Sequence, residues 1–254
     1  MEAERPMPNT HAATGIAHHY FDGDIELRGE HYRPTVPANG RAVLVVHEAD
    51  GIGGNVRRHC AMLADLGYTA FAADMHGGGR VLEGAEMEAA LKRFRSDPDH
   101  LRARVRAGLD ALAAVTALDA AQIAAIGFCF GGFAVLELAR SGAALRAVAS
   151  FHGLLTTRRP AERGAVTARI AAFTGAKDPL VPLADVTAFQ AEMANADADW
   201  LLQVHGQARH SFTNEAVSGL GDPRMRYDPV AHHLSWRAML GFFDTAFADI
   251  SHDL

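Results

Sequence analysis

The stretch from Gln122 to Gly132, QIAAIGFCFGG, constrains this chain more than any other. A short apolar run, Ile123 to Ile126, feeds directly into Gly127-Phe128-Cys129-Phe130-Gly131, and a helical pattern resumes from Gly132 to Ala139. Strand, sharp turn and helix in that order form the context of a G-x-S-x-G nucleophile elbow, here with cysteine in the serine position. The flanking glycines let the backbone turn tightly while the central side chain is held out at the strand tip, a posture that strains any residue with a Cβ. A P-loop would need a Lys-Ser/Thr pair, and a dinucleotide fingerprint would need a third glycine and an acid further on; neither is present. A cysteine buried as a small hydrophobe is the competing reading, so the choice rests on partners elsewhere in the chain.

At 254 residues the chain can bury one substantial core, and a single α/β domain over 1–254, with a loose lead-in at 1–15, is the simplest organisation. A composition 49% hydrophobic argues against disorder, and a net charge of −6 offers no cationic footprint for nucleic acid. Cys60 and Cys129, the two cysteines, cannot supply a disulfide framework or a four-cysteine metal site. A reactive unpaired thiol suits a reducing cytoplasm. The acidic, polar start and the lack of any window near 18 apolar residues lead us to expect an unexported protein that does not enter a membrane.

Ile16 to Phe21 and Ile25 to Tyr32 read as a hairpin turned at Asp22-Gly23-Asp24. Ala42 to Val46, AVLVV, has the signature of a strand covered on both faces, and Thr69 to Ala73, Leu145 to Ser150, Ile170 to Thr174 and Trp200 to Val204 follow it. Helices are expected over Asn55 to Leu66, Glu86 to Phe94, Pro98 to Thr116, Leu183 to Ala194 and Pro229 to Ala248, and a loop with some irregular helix over His152 to Thr167. Strands separated by helices imply right-handed crossovers in a mainly parallel sheet with helices on both faces.

A cysteine becomes a nucleophile when a base takes its proton, commonly an imidazole oriented by an acid. After Cys129, Asp178 stands at the end of one expected strand and His210 in the loop after the last. Nucleophile, acid, histidine is the order of α/β-hydrolases, and groups at the carboxyl ends of parallel strands converge along one edge. Asp178 as a helix cap and His210 as a solvent-exposed histidine are the plain alternatives. Glu48 ends the strand Ala42 to Val46 at the same edge, where a buried carboxyl beside a thiol would have a raised pKa; its plain role is a surface residue in a glycine-rich turn. The N–H groups of Ala49 and Phe130 are candidates for an oxyanion hole. His76-Gly77-Gly78-Gly79 copies an esterase oxyanion motif but follows one strand too late, and is expected as a flexible pocket wall. Fourteen histidines raise the question of metal, yet no H-E-x-x-H or comparable ligand spacing occurs, so neither metal nor cofactor is expected; His205 should support the loop of His210 or sit at the pocket rim.

Four separated motifs, VVHEADGIGGN around Glu48, GFCFGG around Cys129, GAKDPLVP around Asp178 and GQARHSFTN around His210, together resemble the dienelactone hydrolase family, as does the closing YDPVAHHLSWRAMLGFF. The resemblance runs from about Ile16 through Phe247 and implies an α/β-hydrolase with a Cys-His-Asp triad, in which Glu48 interacts with the resting thiol and takes part in its activation. It implies hydrolysis of an ester or lactone with no cofactor. Two arginines that bind a substrate carboxylate in that family have no counterpart: glycine follows Asp74-Met75-His76, with Arg80 nearby, and Asn214 stands four residues after His210. Loss of both charged forks points to a neutral or differently placed ester or lactone.

The expectation is therefore a cysteine-dependent hydrolase acting on a small molecule: Cys129, His210 and Asp178 catalytic, Glu48 tuning the thiol, and Ala49 and Phe130 receiving the oxyanion. Phe128, Phe151 and Phe212 are candidate pocket residues, as are His76, Arg80, His152 and Asn214. A thiol-dependent acyltransferase and a non-catalytic binding protein on the same scaffold are the alternatives.

Overall fold

Alternation within the short strands determines the architecture. In β3 (Ala42–Val46) every residue is buried, with Ala42, Leu44 and Val46 entering one core and Val43 and Val45 the other. A strand apolar on both faces belongs inside a sheet covered on both sides. The computed structural model, which describes residues 13–248, places it there. β3 lies between β4 (Thr69–Ala73) and β5 (Ile123–Phe128), and β6 (Ala147–Phe151), β7 (Arg169–Gly175) and β8 (Trp200–His205) continue the sheet in parallel. The hairpin of β1 (Ile16–Asp22) and β2 (Ile25–Tyr32), with Asp22 opposite Ile25, adds to β4 antiparallel. The resulting order is β1-β2-β4-β3-β5-β6-β7-β8.

α2 (Gly84–Ser96), α3 (Pro98–Thr116), α4 (Phe130–Arg140) and α5 (Leu183–Asn195) cover one face, contributing Phe94, Leu101, Val135 and Phe189 to its core. α1 (Gly54–Asp65) and α6 (Pro229–Phe247) cover the other through Val56, Leu63, Trp236 and Phe243. α3 and α6 start where aspartate precedes proline: Asp97 accepts from His100 N–H, and Asp228 accepts from Val230 and Ala231 N–H. Each side chain satisfies amides that the first turn leaves without intrahelical partners. Chain order reverses between β3 and β5, the switch point beside which functional groups gather in open α/β sheets. This is the α/β-hydrolase arrangement.

Three details depart from the sequence reading. β6 starts at Ala147, two residues later than expected, and short 3-10 turns occupy Ala120–Gln122 and Glu215–Gly219. Residues 152–168 contain no helix. Side chains from α3, α4 and α5 satisfy that loop's backbone instead: Arg140 donates to Leu155 O at 2.6 Å, Arg102 to Arg159 O at 2.7 Å, and Ala161 N–H donates to Glu192 at 3.0 Å. A loop whose polar groups find such partners needs no internal ladder. Residues 1–12 of the expected lead-in lie outside the described residues.

Candidate active site

β5 ends at Phe128 and α4 begins at Phe130, so Cys129 makes the turn alone, at φ 53° and ψ −114°. A residue with a Cβ adopts that conformation only when its surroundings impose it. Here the Cys129 N–H is shared between Phe151 O at 3.0 Å and His152 Nδ1 at 3.1 Å. A Cβ added to Gly127 would overlap the Gly131 carbonyl, and one added to Gly131 would overlap the Val46 carbonyl. The glycines around Cys129 thus follow from how closely α4 packs on β3 and β5.

Cys129 Sγ lies 3.0 Å from His210 Nε2, and His210 Nδ1 lies 2.7 Å from Asp178 Oδ2. Asp178, just past β7, also accepts from Leu180 N–H at 2.8 Å through Oδ1. It is no helix cap, since α5 begins after Pro182 without a side-chain cap. His210 is buried, and its backbone pairs with Arg224 O and Arg226 N–H across the loop after β8. Burial alone would lower the His210 pKa; the charge of Cys129 and hydrogen bonds to Asp178 and Cys129 outweigh it and raise the value to about 10. The imidazole is therefore suited to remain protonated at neutral pH, while Cys129 keeps partial access to solvent.

Glu48 follows β3. Its Oε2 accepts from Asn214 Nδ2 at 2.8 Å, whereas its Oε1 is buried without a partner. Burial lifts its pKa to about 7, with the Asn214 hydrogen bond opposing the shift and the charge of Asp50 adding to it. Asn214 is thus more than a missing arginine: it also accepts from Ala216 N–H, opening the Glu215–Gly219 turn. Asn before such a turn is a cap signal, but no sequence feature ties it to a glutamate 166 positions away. Arg80 is exposed and donates to Glu86 at 2.7 Å, with a second contact to His76 O at 3.3 Å.

The loop after β3 is fixed by two histidines. His76 Nε2 donates to Ala49 O at 2.9 Å, and His47, which the sequence reading passed over, accepts from Met75 N–H at 3.1 Å. Burial, with the charge of His76, lowers the His47 pKa to about 4, so it stays neutral. Phe130 N–H is the first amide of α4, among the helix N-terminal donors that lack intrahelical acceptors.

Two expectations are corrected. The glycine run after His76 is not a flexible wall: the Asp74 carboxylate accepts from the N–H groups of His76, Gly77, Gly79 and Arg28 at 2.7 to 2.9 Å. Gly77, Gly78 and Gly79, at φ 92°, 63° and 68°, let the backbone wrap that carboxylate. Phe128, Phe151 and Phe212 do not line an open pocket. All three are fully buried in the core beneath α1 and α6, and Phe128 and Phe151 stack at 5.2 Å. Phe128 shares its side of β5 with Ala124 and Ile126, so strand alternation decides its direction. His152 is also fully buried, and His205 lies mostly buried against the Phe212 ring at 5.4 Å. Among the described residues no group of three or more His, Cys, Asp or Glu side chains is arranged to hold a metal ion.

The model of the dienelactone hydrolase family matches residues 27–247. An uncharacterized protein of Caenorhabditis elegans is 37% identical over 150 residues, covering 58% of this chain and 95% of its own. A solved structure named m3DLH superposes with a TM-score of 0.87 at 37% identity, covering 93% of this chain and 99% of its own. The structure of a dienelactone hydrolase-like promiscuous phosphotriesterase from metagenomic libraries gives 0.85 at 36% identity, covering 92% and 99%.

Proposed function

The chain belongs to the dienelactone hydrolase family, and on that premise we propose that it hydrolyses small carboxylic esters or lactones through Cys129. The observation that carries this reading is the pair of consecutive contacts, Sγ to Nε2 at 3.0 Å and Nδ1 to Asp178 at 2.7 Å. The Cys129 thiolate adds to the carbonyl carbon, and the displaced electron pair settles on the carbonyl oxygen, which the Ala49 and Phe130 N–H groups receive. Collapse breaks the bond to the leaving oxygen, which takes the proton from His210 Nε2 and leaves a thioester. Water then gives a proton to Nε2 as its oxygen attacks the thioester. Expulsion of the thiolate releases the carboxylic acid and restores the charged pair. Asp178 holds the imidazole in the required tautomer throughout.

Glu48, with a pKa near neutrality and one oxygen unpartnered, can hold or release a proton beside this chemistry at working pH. A neutral substrate fits the surroundings better than an anion. Asn214 carries no charge and is committed to Glu48, and Arg80 is committed to Glu86. A cytoplasmic setting belongs to the same proposal, because it keeps the thiol reduced.

A panel of p-nitrophenyl esters and small lactones tests the reading. Turnover is expected with the native chain and lost in Cys129→Ala with the fold intact, and retained turnover in that variant would sink the covalent route. A second reading is favoured by the likeness to the promiscuous phosphotriesterase: a neutral phosphotriester would present its P=O oxygen to the same N–H donors. An aryl phosphotriester in the same panel decides it, since release of the phenol that disappears in Cys129→Ala is the expected result.

A further inference from the structure

Among the described residues, five other than glycine have positive φ: Ala117, Cys129, His152, Asp197 and Ser211. Ala117 caps the end of α3 and Asp197 follows the end of α5, where left-handed backbone is ordinary. The other three converge on the candidate active site. Strain held at one place calls for something that imposes it.

His152, at φ 41°, bridges two segments of that site, the Cys129 turn and the loop of His210. The Cys129 N–H is an unambiguous donor, so His152 Nδ1, 3.1 Å away, must accept, and the neutral ring carries its proton on Nε2. That Nε2–H donates to Thr213 Oγ1 at 2.8 Å. Thr213 stands three residues after His210 on the same loop and is itself buried. Its carbonyl accepts from Arg58 of α1 at 2.7 Å. His152 N–H is anchored in turn on Phe173 O of β7 at 2.8 Å. The His152 ring also meets His210 edge-on at 5.5 Å. Burial and the neighbouring positive charge of His210 both hold His152 neutral, the state this bridge requires.

We propose that His152 and Thr213 are a positioning pair that ties the nucleophile turn to the loop carrying His210, and so sets the distance between Cys129 Sγ and His210 Nε2. The pair touches neither substrate nor reacting atoms; it acts through the backbone on both sides. The proposal rests on the reading of Cys129 and His210 as nucleophile and base. A misplacement of about 1 Å between reacting groups lowers rate by about a hundredfold, so partial loosening is expected to cost about tenfold.

The test compares Thr213→Val, which keeps shape and removes the hydroxyl, with Thr213→Ser, which restores it. Two readouts are taken on folded protein: kcat and KM for a p-nitrophenyl ester, and the rate of iodoacetamide alkylation of Cys129 at pH 6 and pH 10. Cys60 is fully buried and does not compete. Thr213→Val is expected to lose about tenfold in kcat with little change in KM, and about tenfold in alkylation at pH 6. Near pH 10 a thiol ionises without help and the alkylation rates should agree. Thr213→Ser should recover most of both losses. A merely structural threonine would lower the melting temperature without this pH-selective effect on alkylation. Native kcat and native alkylation at pH 6 in Thr213→Val would overturn the proposal. If Thr213→Val does not fold, Thr213→Ala carries the same comparison. Alkylation reads the Cys129–His210 pair whether or not turnover uses it. An active Cys129→Ala protein would therefore refute the nucleophile and leave the positioning pair to be decided by the alkylation rates.

Discussion

Replacing Glu48 with glutamine should make the protein more stable, and only at the upper end of its pH range. The folded carboxyl titrates at about 7 against an ordinary 4.5, because burial disfavours its charge and only Oε2 has a hydrogen-bond partner. Between those two values the folded protein holds a proton that the unfolded chain has released, so stability falls as pH rises through that window. The deficit is complete above pH 7 and absent below 4.5. At about 1.4 kcal/mol per pH unit the gap corresponds to about 3 kcal/mol, which residual solvent contact of Glu48 trims to about 2 kcal/mol. Glutamine keeps an acceptor for Asn214 and has no charge to desolvate. Urea unfolding followed by Trp200 and Trp236 fluorescence, at pH 8 and at pH 4.5, measures the difference. Glu48→Gln should exceed the native chain by about 2 kcal/mol at pH 8 and match it near pH 4.5. Equal differences at the two pH values, or none at pH 8, would refute the argument that burial holds this carboxyl up.

Gly131→Ala should destabilise by about 3 kcal/mol or more, because the new methyl meets the Val46 carbonyl, a backbone atom that cannot swing aside; thermal unfolding reads it, and a native melting temperature would contradict the packing. Glu137 is fully buried between Arg102 and Arg140, so Glu137→Gln should lose about 3 kcal/mol by leaving two guanidinium groups undercompensated, measurable by urea titration at neutral pH. Asn214→Leu removes the hydrogen bond that favours the charged Glu48, so the Glu48 titration, followed by carbon-13 NMR of labelled glutamate, should move upward from about 7 by about one pH unit. For His210, nitrogen-15 NMR should show a protonated ring from neutrality up to about pH 10. In Cys129→Ala the midpoint should fall, since the thiolate charge that holds the proton is gone.

Local pattern was enough for the architecture. AVLVV could only be an interior strand, and Asp-Pro at positions 97–98 and 228–229 marked helix starts to the residue. Cys129, Asp178 and His210 were legible because each stands at a strand end, where topology forces convergence whatever the intervening sequence. What stayed hidden depends on contacts between elements far apart in the chain. Asn214 reads as the absence of a charge until its amide is seen on Glu48, and His152 joins Cys129 to Thr213, which lies 61 positions beyond it. The glycines after His76 looked mobile because composition does not reveal the Asp74 carboxylate they enclose. Phe128, by contrast, was misassigned against a signal already present, since alternation along β5 pairs it with Ala124 and Ile126.

The contacts at Gly127, Gly131 and Gly132 also bear on how such a protein can change over generations. A Cβ on Gly132 would stand 2.7 Å from Ser150 Oγ and 2.9 Å from the Gly153 Cα, so none of the three glycines tolerates even the smallest side chain without moving β3, β6 or α4. Inheritable novelty is thereby channelled away from the nucleophile turn and toward those strand-end positions whose side chains are exposed and hold no neighbouring loop. A laboratory search for new substrates would do well to leave 127–132, His76 to Gly79 and Asn214 untouched and to diversify exposed loop positions such as Arg80, Val81 and Leu220, because the scaffold divides the chain into a part that cannot drift and a part that can.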